Sequence, residues 1–175
     1  MLRNLDFLDL TSVKYRPIAG SSYVETPEKL SKKTAIINIK NENDDMCFLY
    51  SIIASILHKK KIPTHNLRYI PYLKRHRDLV NAQMIDFPTK LSDVSKFEKA
   101  NSGITISLYA WDEQTAQIYP VKVSKILAEN HVNLLVLENE NENKFHYTTI
   151  TDLPRLLGKK GCEKAHLPIL LACIR

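Results

Sequence analysis

Residues 41–60 read NENDDMCFLYSIIASILHKK, and the fold depends on how this stretch is divided. The first six residues are acids, amides and a methionine, which read as a polar loop. From Cys47 to Leu57 almost every residue is apolar or small. The apolar stripe is so wide that the spacing predicts a helix buried nearly all round. Lys59, Lys60 and Lys61 close it, matching the negative end of a helix, and Pro63 forbids continuation. Packing accounts for this composition. It does not account for a cysteine at the first helical position. Cys47 is either a small hydrophobe at the edge of a core or a nucleophile held at a helix N-terminus.

Working outward, TAIINIK (34–40) is rich in β-branched residues and predicts a strand. Residues 1–33 hold Pro17, Gly20, Ser21, Ser22 and Pro27 between short apolar patches, and read as an irregular arm of low order. After the cysteine helix, Thr64 is a candidate N-cap for one or two helical pieces broken near Pro71. Ser92 is placed to cap a short helix whose Val94 and Phe97 share a face. The period then changes. GITISLYAW (103–111), AQIYPVKVS (116–124), HVNLLVLEN (131–139) and KFHYTTIT (144–151) predict four strands of an antiparallel meander. DLPRLL (152–157) follows as a short helix with Asp152 as N-cap. Helices first and strands later give an α+β fold.

The chain has 175 residues, 44% hydrophobic and 25% charged, which is ordinary for one globular domain with a tail or two. Three cysteines, an odd number widely spaced, make a poor disulfide framework and point to a reducing compartment. No run of about 18 apolar residues is present, so no membrane partner is expected. The acid-bearing start MLRNLDFLDL does not read as a secretory signal. The net charge of +6 permits contact with nucleic acid, but the lysines are scattered as on a solvated surface.

A thiol at a helix N-terminus has its thiolate favoured by free N–H groups and the macrodipole, and the same N–H groups can hold a developing oxyanion. It needs a base. Among six histidines, His58 lies at the far end of the cysteine helix, roughly 16 Å away at 1.5 Å per residue. His65 and His76 sit among charged helical residues, His131 begins a strand after a polar turn, and His166 lies in the tail. His146 begins the last strand beside Tyr147, a rim position from which a side chain can reach over a helix N-terminus. The residues leave two readings open: a Cys47–His146 pair, or a buried free cysteine with an ordinary strand histidine.

AIINIKNENDDMCFLYSIIASIL (35–57), followed in order by YIPYL, IDFPTKLSDVSKFEKAN, ISLYAW, IYPVKVS, HVNLLVL and FHYTTITDLPRLL, resembles a domain of Polinton (Maverick) type transposons over about residues 23–158. Its cysteine-then-histidine order is similar to papain-like cysteine deubiquitinases of the OTU and viral-tegument types. DDMCF resembles the Asp-x-x-Cys opening of the OTU type, and the His146–Tyr147 pair resembles that fold's histidine and aromatic. The resemblance implies a papain-like α+β fold with the cysteine helix packed on an antiparallel sheet carrying the histidine. It implies a thiol protease, Cys47 the nucleophile and His146 the base, acting on ubiquitin or a ubiquitin-like protein. It needs no cofactor and no metal, and a transposon origin implies an intracellular setting. The domain would span 34–158, with an arm at 1–33 and a tail at 159–175.

The orienting residue departs from those families. Two positions after the histidine stands Thr148, and two before stands Lys144. Asp152, Asn141, Asn143 and Asp44 are the candidates. Asp152 is roughly 20 Å from His146 along a straight strand, so a helix cap is its simpler role. Asp44 and Asn43 are placed to support an oxyanion. Cys162, His166 and Cys173 form only a weak zinc pattern. The alternative function is a non-catalytic module binding nucleic acid or a polymerase partner.

Overall fold

Every residue from Cys47 to Leu57 is buried, as the wide apolar stripe requires. The computed structural model of the chain describes residues 19–20, 22–126, 128–139 and 144–158. The helices are α1 (Glu28–Ser31), α2 (Cys47–Lys59), α3 (Thr64–Leu67), α4 (Ile70–Lys74), α5 (Val94–Ala100) and α6 (Leu153–Leu156). The strands are β1 (Ala19–Gly20), β2 (Ile36–Ile37), β3 (Thr89–Lys90), β4 (Ile104–Asp112), β5 (Gln117–Lys122), β6 (Asn130–Asn139) and β7 (Lys144–Ile150). The chain is α+β: α1–α5 precede the four long strands β4–β7 and α6 follows them, while the short strands β1–β3 of the same mixed sheet are interleaved with the helices. Among the described residues no helix is long and apolar enough to cross a membrane.

The sheet order is β3-β1-β7-β6-β4-β5, with β2 also on β7. The expected antiparallel meander is corrected here. β4 and β6 run parallel, side by side, and β5 lies outside them on β4. The reason is in the sequence of β5. A meander would put β5 between β4 and β6, where both its edges must pair. Pro120 has no N–H to give, which suits an edge strand and not a central one. β5 is accordingly half-exposed, whereas β6 takes the centre with Val132, Leu134, Leu135, Val136 and Leu137 all buried.

That uninterrupted run in β6 follows from cover on both faces. Val132, Leu134 and Val136 join Phe48, Ile52 and Phe97 in one core under α2 and α5. Leu135 and Leu137 join Tyr109, Trp111, Leu30 and Leu156 in a second core under α1 and α6. The arm boundary expected at residue 33 is therefore corrected. Val24 and Leu30 are buried, and Gly20 pairs with Phe145. Residues 1–18 and 159–175 lie outside the described residues. Two caps are also corrected: Pro63, not Thr64, precedes α3, and Ser92 belongs to a 3-10 turn with Asp93 at the N-cap of α5. A residue that is already helical cannot act as the cap before the helix.

β7 is the hinge of the architecture. β6 covers one of its edges from Asn139 to Leu134. On the other edge β1 pairs at Phe145 and β2 at Thr149 and Ile150, which leaves a gap at Tyr147. Helix α2 fills that gap with side chains. Ser51 Oγ donates to Tyr147 O at 2.8 Å, and Thr149 Oγ1 donates back to Ser51 O at 2.6 Å. Buried backbone groups must find partners, and here a serine on a helix serves where a strand would. Ser51→Ala leaves the Tyr147 carbonyl buried and unpaired, so it should cost about 1–3 kcal/mol of stability. Urea unfolding of this variant checks the value, and an unchanged midpoint would refute the role of the gap.

Candidate active site

The loop before α2 is organised around Asp44. Its Oδ1 accepts from Met46 N–H at 3.2 Å, and its Oδ2 accepts from the Tyr50 hydroxyl at 2.7 Å. Asn41 Nδ2 donates to the Asp44 carbonyl at 2.7 Å. These bonds fix where the helix begins. They also correct the oxyanion role expected of Asp44: an ionised carboxylate only accepts hydrogen bonds and repels negative charge. Asn43 is exposed on the same loop. No side chain caps α2, so its first-turn N–H groups are the donors the helix offers at this end.

Cys47 is the first residue of that turn. Its Sγ accepts from Tyr147 N–H at 3.5 Å, in the gap of β7. The thiol is buried. Burial pushes its pKa up to about 12; N–H groups of Tyr147 and Phe48 oppose this, while Asp45 and Asp44 add to it. The expectation that the helix N-terminus favours thiolate is thus reversed in this conformation. Desolvation of a charge outweighs a helix-end effect.

The next residue of β7 is His146. Its Nε2 lies 2.8 Å from Asn38 Oδ1. Asn38 sits just beyond β2, and its amide is oriented by two further contacts. Nδ2 donates to Val24 O at 2.9 Å and to Thr26 Oγ1 at 2.8 Å. Val24 O can only accept, so the amide nitrogen faces it and the amide oxygen faces the imidazole. That oxygen also only accepts, which puts the ring proton on Nε2 and leaves the lone pair on Nδ1. Nδ1 is buried with no hydrogen-bond partner. The thiol and the ring therefore lie along one stretch of β7 edge but are not hydrogen-bonded to each other. Tyr23 meets the ring edge-on, centroids 5.7 Å apart. Burial pushes the imidazole down to about 4, opposed by backbone groups of Ser22 and Ile39.

Asn38 is the residue that sequence reasoning missed. Its signal was a single amide inside the apolar run AIINIK. Of the other candidates, Asp152 caps α6, its Oδ1 accepting from Arg155 N–H at 2.9 Å. Asn141 and Asn143, and likewise Cys162, His166 and Cys173, lie outside the described residues. His131, on β6, is bonded to Thr105 of β4 and to Asn133, and His76 to the Tyr72 carbonyl. No family model matches this chain, and no curated protein and no solved structure is similar to it.

Two outcomes follow from this geometry. A cap serves equally well as asparagine, so Asp152→Asn should leave the melting temperature nearly unchanged, while Asp152→Ala should cost about 1 kcal/mol. Equal losses in both variants would point to the Asp152–Arg155 ion pair at 3.4 Å instead. The second outcome concerns pH. The folded chain holds His146 near 4 against an ordinary 6.5, so between these values the unfolded chain binds more protons. Stability is full above pH 6.5 and falls as the pH drops towards 4, by on the order of 3 kcal/mol. Melting curves across that window should slope downward for the native chain, and His146→Gln should flatten the slope. The same slope in both proteins would assign it elsewhere.

Proposed function

We propose that this chain is a cysteine peptidase of papain-like arrangement, with Cys47 as nucleophile, His146 as base and Asn38 as the group that orients the base. One observation carries the reading. Asn38 fixes the ring so that its proton sits on Nε2 and its lone pair on a buried Nδ1, one residue along β7 from the Tyr147 N–H that meets the Cys47 thiol at the first turn of α2. That is the tautomer a base needs when a thiol is its substrate.

The chemistry follows. As a substrate carbonyl engages, the Sγ proton passes to Nδ1 and the sulfur attacks the carbonyl carbon. The charge that develops on oxygen is met by the uncapped N–H groups of the first turn of α2. The imidazolium keeps its Nε2–H on Asn38 Oδ1, then gives the Nδ1 proton to the leaving amine. Water, deprotonated by the same Nδ1, releases the acyl group and restores the thiol. Cys47 and His146 are both fully buried, so these steps belong to a conformation in which the pair opens to substrate. Cleavage after the C-terminal glycines of ubiquitin or a ubiquitin-like protein is supported by the resemblance of DDMCF and the His146–Tyr147 pair to deubiquitinases.

The same burial favours a second reading: a non-catalytic module, in which the cysteine and histidine only pack and the net charge serves nucleic acid. One experiment separates them. Full-length protein is incubated with ubiquitin carrying a C-terminal electrophile and followed by mass. One ubiquitin should be captured on Cys47. Capture should vanish in Cys47→Ala, slow by about 10²–10⁴ in His146→Ala, and slow in Asn38→Ala while persisting in His131→Ala. No adduct, together with salt-sensitive DNA binding, would replace the peptidase by the module.

A further inference from the structure

A cleft of about 530 Å³ is lined in part by Asn38, the residue whose Oδ1 meets the His146 ring. Its volume is in the range of small-molecule sites. Arg68, at the C-terminal end of α3, and Arg155, on α6, both line it. Arg68 has no ion pair among the described residues. Arg155 has a loose one, 3.4 Å to Asp152, whose carboxylate also lines the cleft and is engaged as the cap of α6. The remaining lining is rich in hydroxyls. One of them, Thr34, is exposed and held at φ 49°. That is the left-handed region, which a β-branched residue rarely occupies, and such strain gathers at binding sites.

A second feature ties the cleft to the base. Thr26 lines it, and the Thr26 hydroxyl oxygen accepts from Asn38 Nδ2 at 2.8 Å. Its own proton is free to point into the cleft. We propose that the cleft binds a small anion bearing phosphate or carboxylate, held by Arg68 and Arg155, and that occupancy is transmitted through Thr26 and Asn38 to His146. A ligand that takes the Thr26 proton makes that oxygen a stronger acceptor for Asn38. The polarised amide then draws harder on Nε2–H, since hydrogen bonds in a chain strengthen one another. The transmission rests on the peptidase reading for its purpose; the binding does not.

The full chain is titrated with inorganic pyrophosphate and, separately, with citrate, by calorimetry. Saturable one-to-one binding of either supports the site, and which of the two binds assigns phosphate or carboxylate. Affinity should fall at least about tenfold in Arg68→Ala and in Arg155→Ala, about the loss of one charge-assisted hydrogen bond. It should hold in Lys99→Ala and in Cys47→Ala. Thr34→Gly should raise the melting temperature and weaken binding. On saturation the Asn38 side-chain amide and the His146 Nε2-bound proton should move downfield in NMR spectra, and Thr26→Val should abolish the movement while weakening binding less than either arginine variant. No saturable binding, or equal weakening in Lys99→Ala, overturns the site. Binding without the NMR shifts overturns the transmission. Because Cys47→Ala is a binding-competent control, failure of the peptidase reading leaves this result readable.

Discussion

The gap in the second edge of β7 is the constraint on which the rest of the molecule depends. A buried strand must have partners along both edges, and β1 and β2 reach only its ends. At Tyr147 the partners are a sulfur and a hydroxyl from α2, at 3.5 and 2.8 Å. This sets the register of the helix against the sheet. It brings the first turn of α2 to the residue beside His146, and lets β2 carry Asn38 to the ring. Fold and candidate site share one set of contacts.

The electrostatics of that site are a contest that burial wins. A helix end shifts a nearby charge by a fraction of what full removal from water costs. Both groups are therefore held neutral, the thiol near 12 and the imidazole near 4. Opening the pair to water would lower the first and raise the second. The two values then approach each other, which is the condition for proton transfer between them. In such a design solvent access governs reactivity, and the residues that seal the pair, Tyr23 among them, become as consequential as the pair itself.

Much of this was legible in the residues. The width of the apolar stripe in 47–57 gave α2 to within one residue of its end, and the β-branched runs gave four long strands. Their pairing was not legible in the runs alone, because alternation marks a strand but not its neighbour. Pro120 held the missing information, since a residue without an N–H belongs at an edge. Asp152 was readable as a cap because its role is local. Asn38 was not readable as a partner of His146, because 108 residues separate them and only the closure of β2 onto β7 makes them neighbours. The loop acids misled for a related reason. Asp44 looks like part of the chemistry from its spacing to Cys47, yet it is occupied by Met46, Tyr50 and Asn41.

The sealed thiol has a chemical consequence of its own. Oxidants attack thiolate, and the first product on sulfur, a sulfenic acid, needs both ionisation and access. Cys47 in the closed conformation offers neither. Peroxide damage at Cys47 should therefore accrue only during excursions that expose the sulfur, so the lifetime of this thiol under oxidative stress is set by how seldom the site opens.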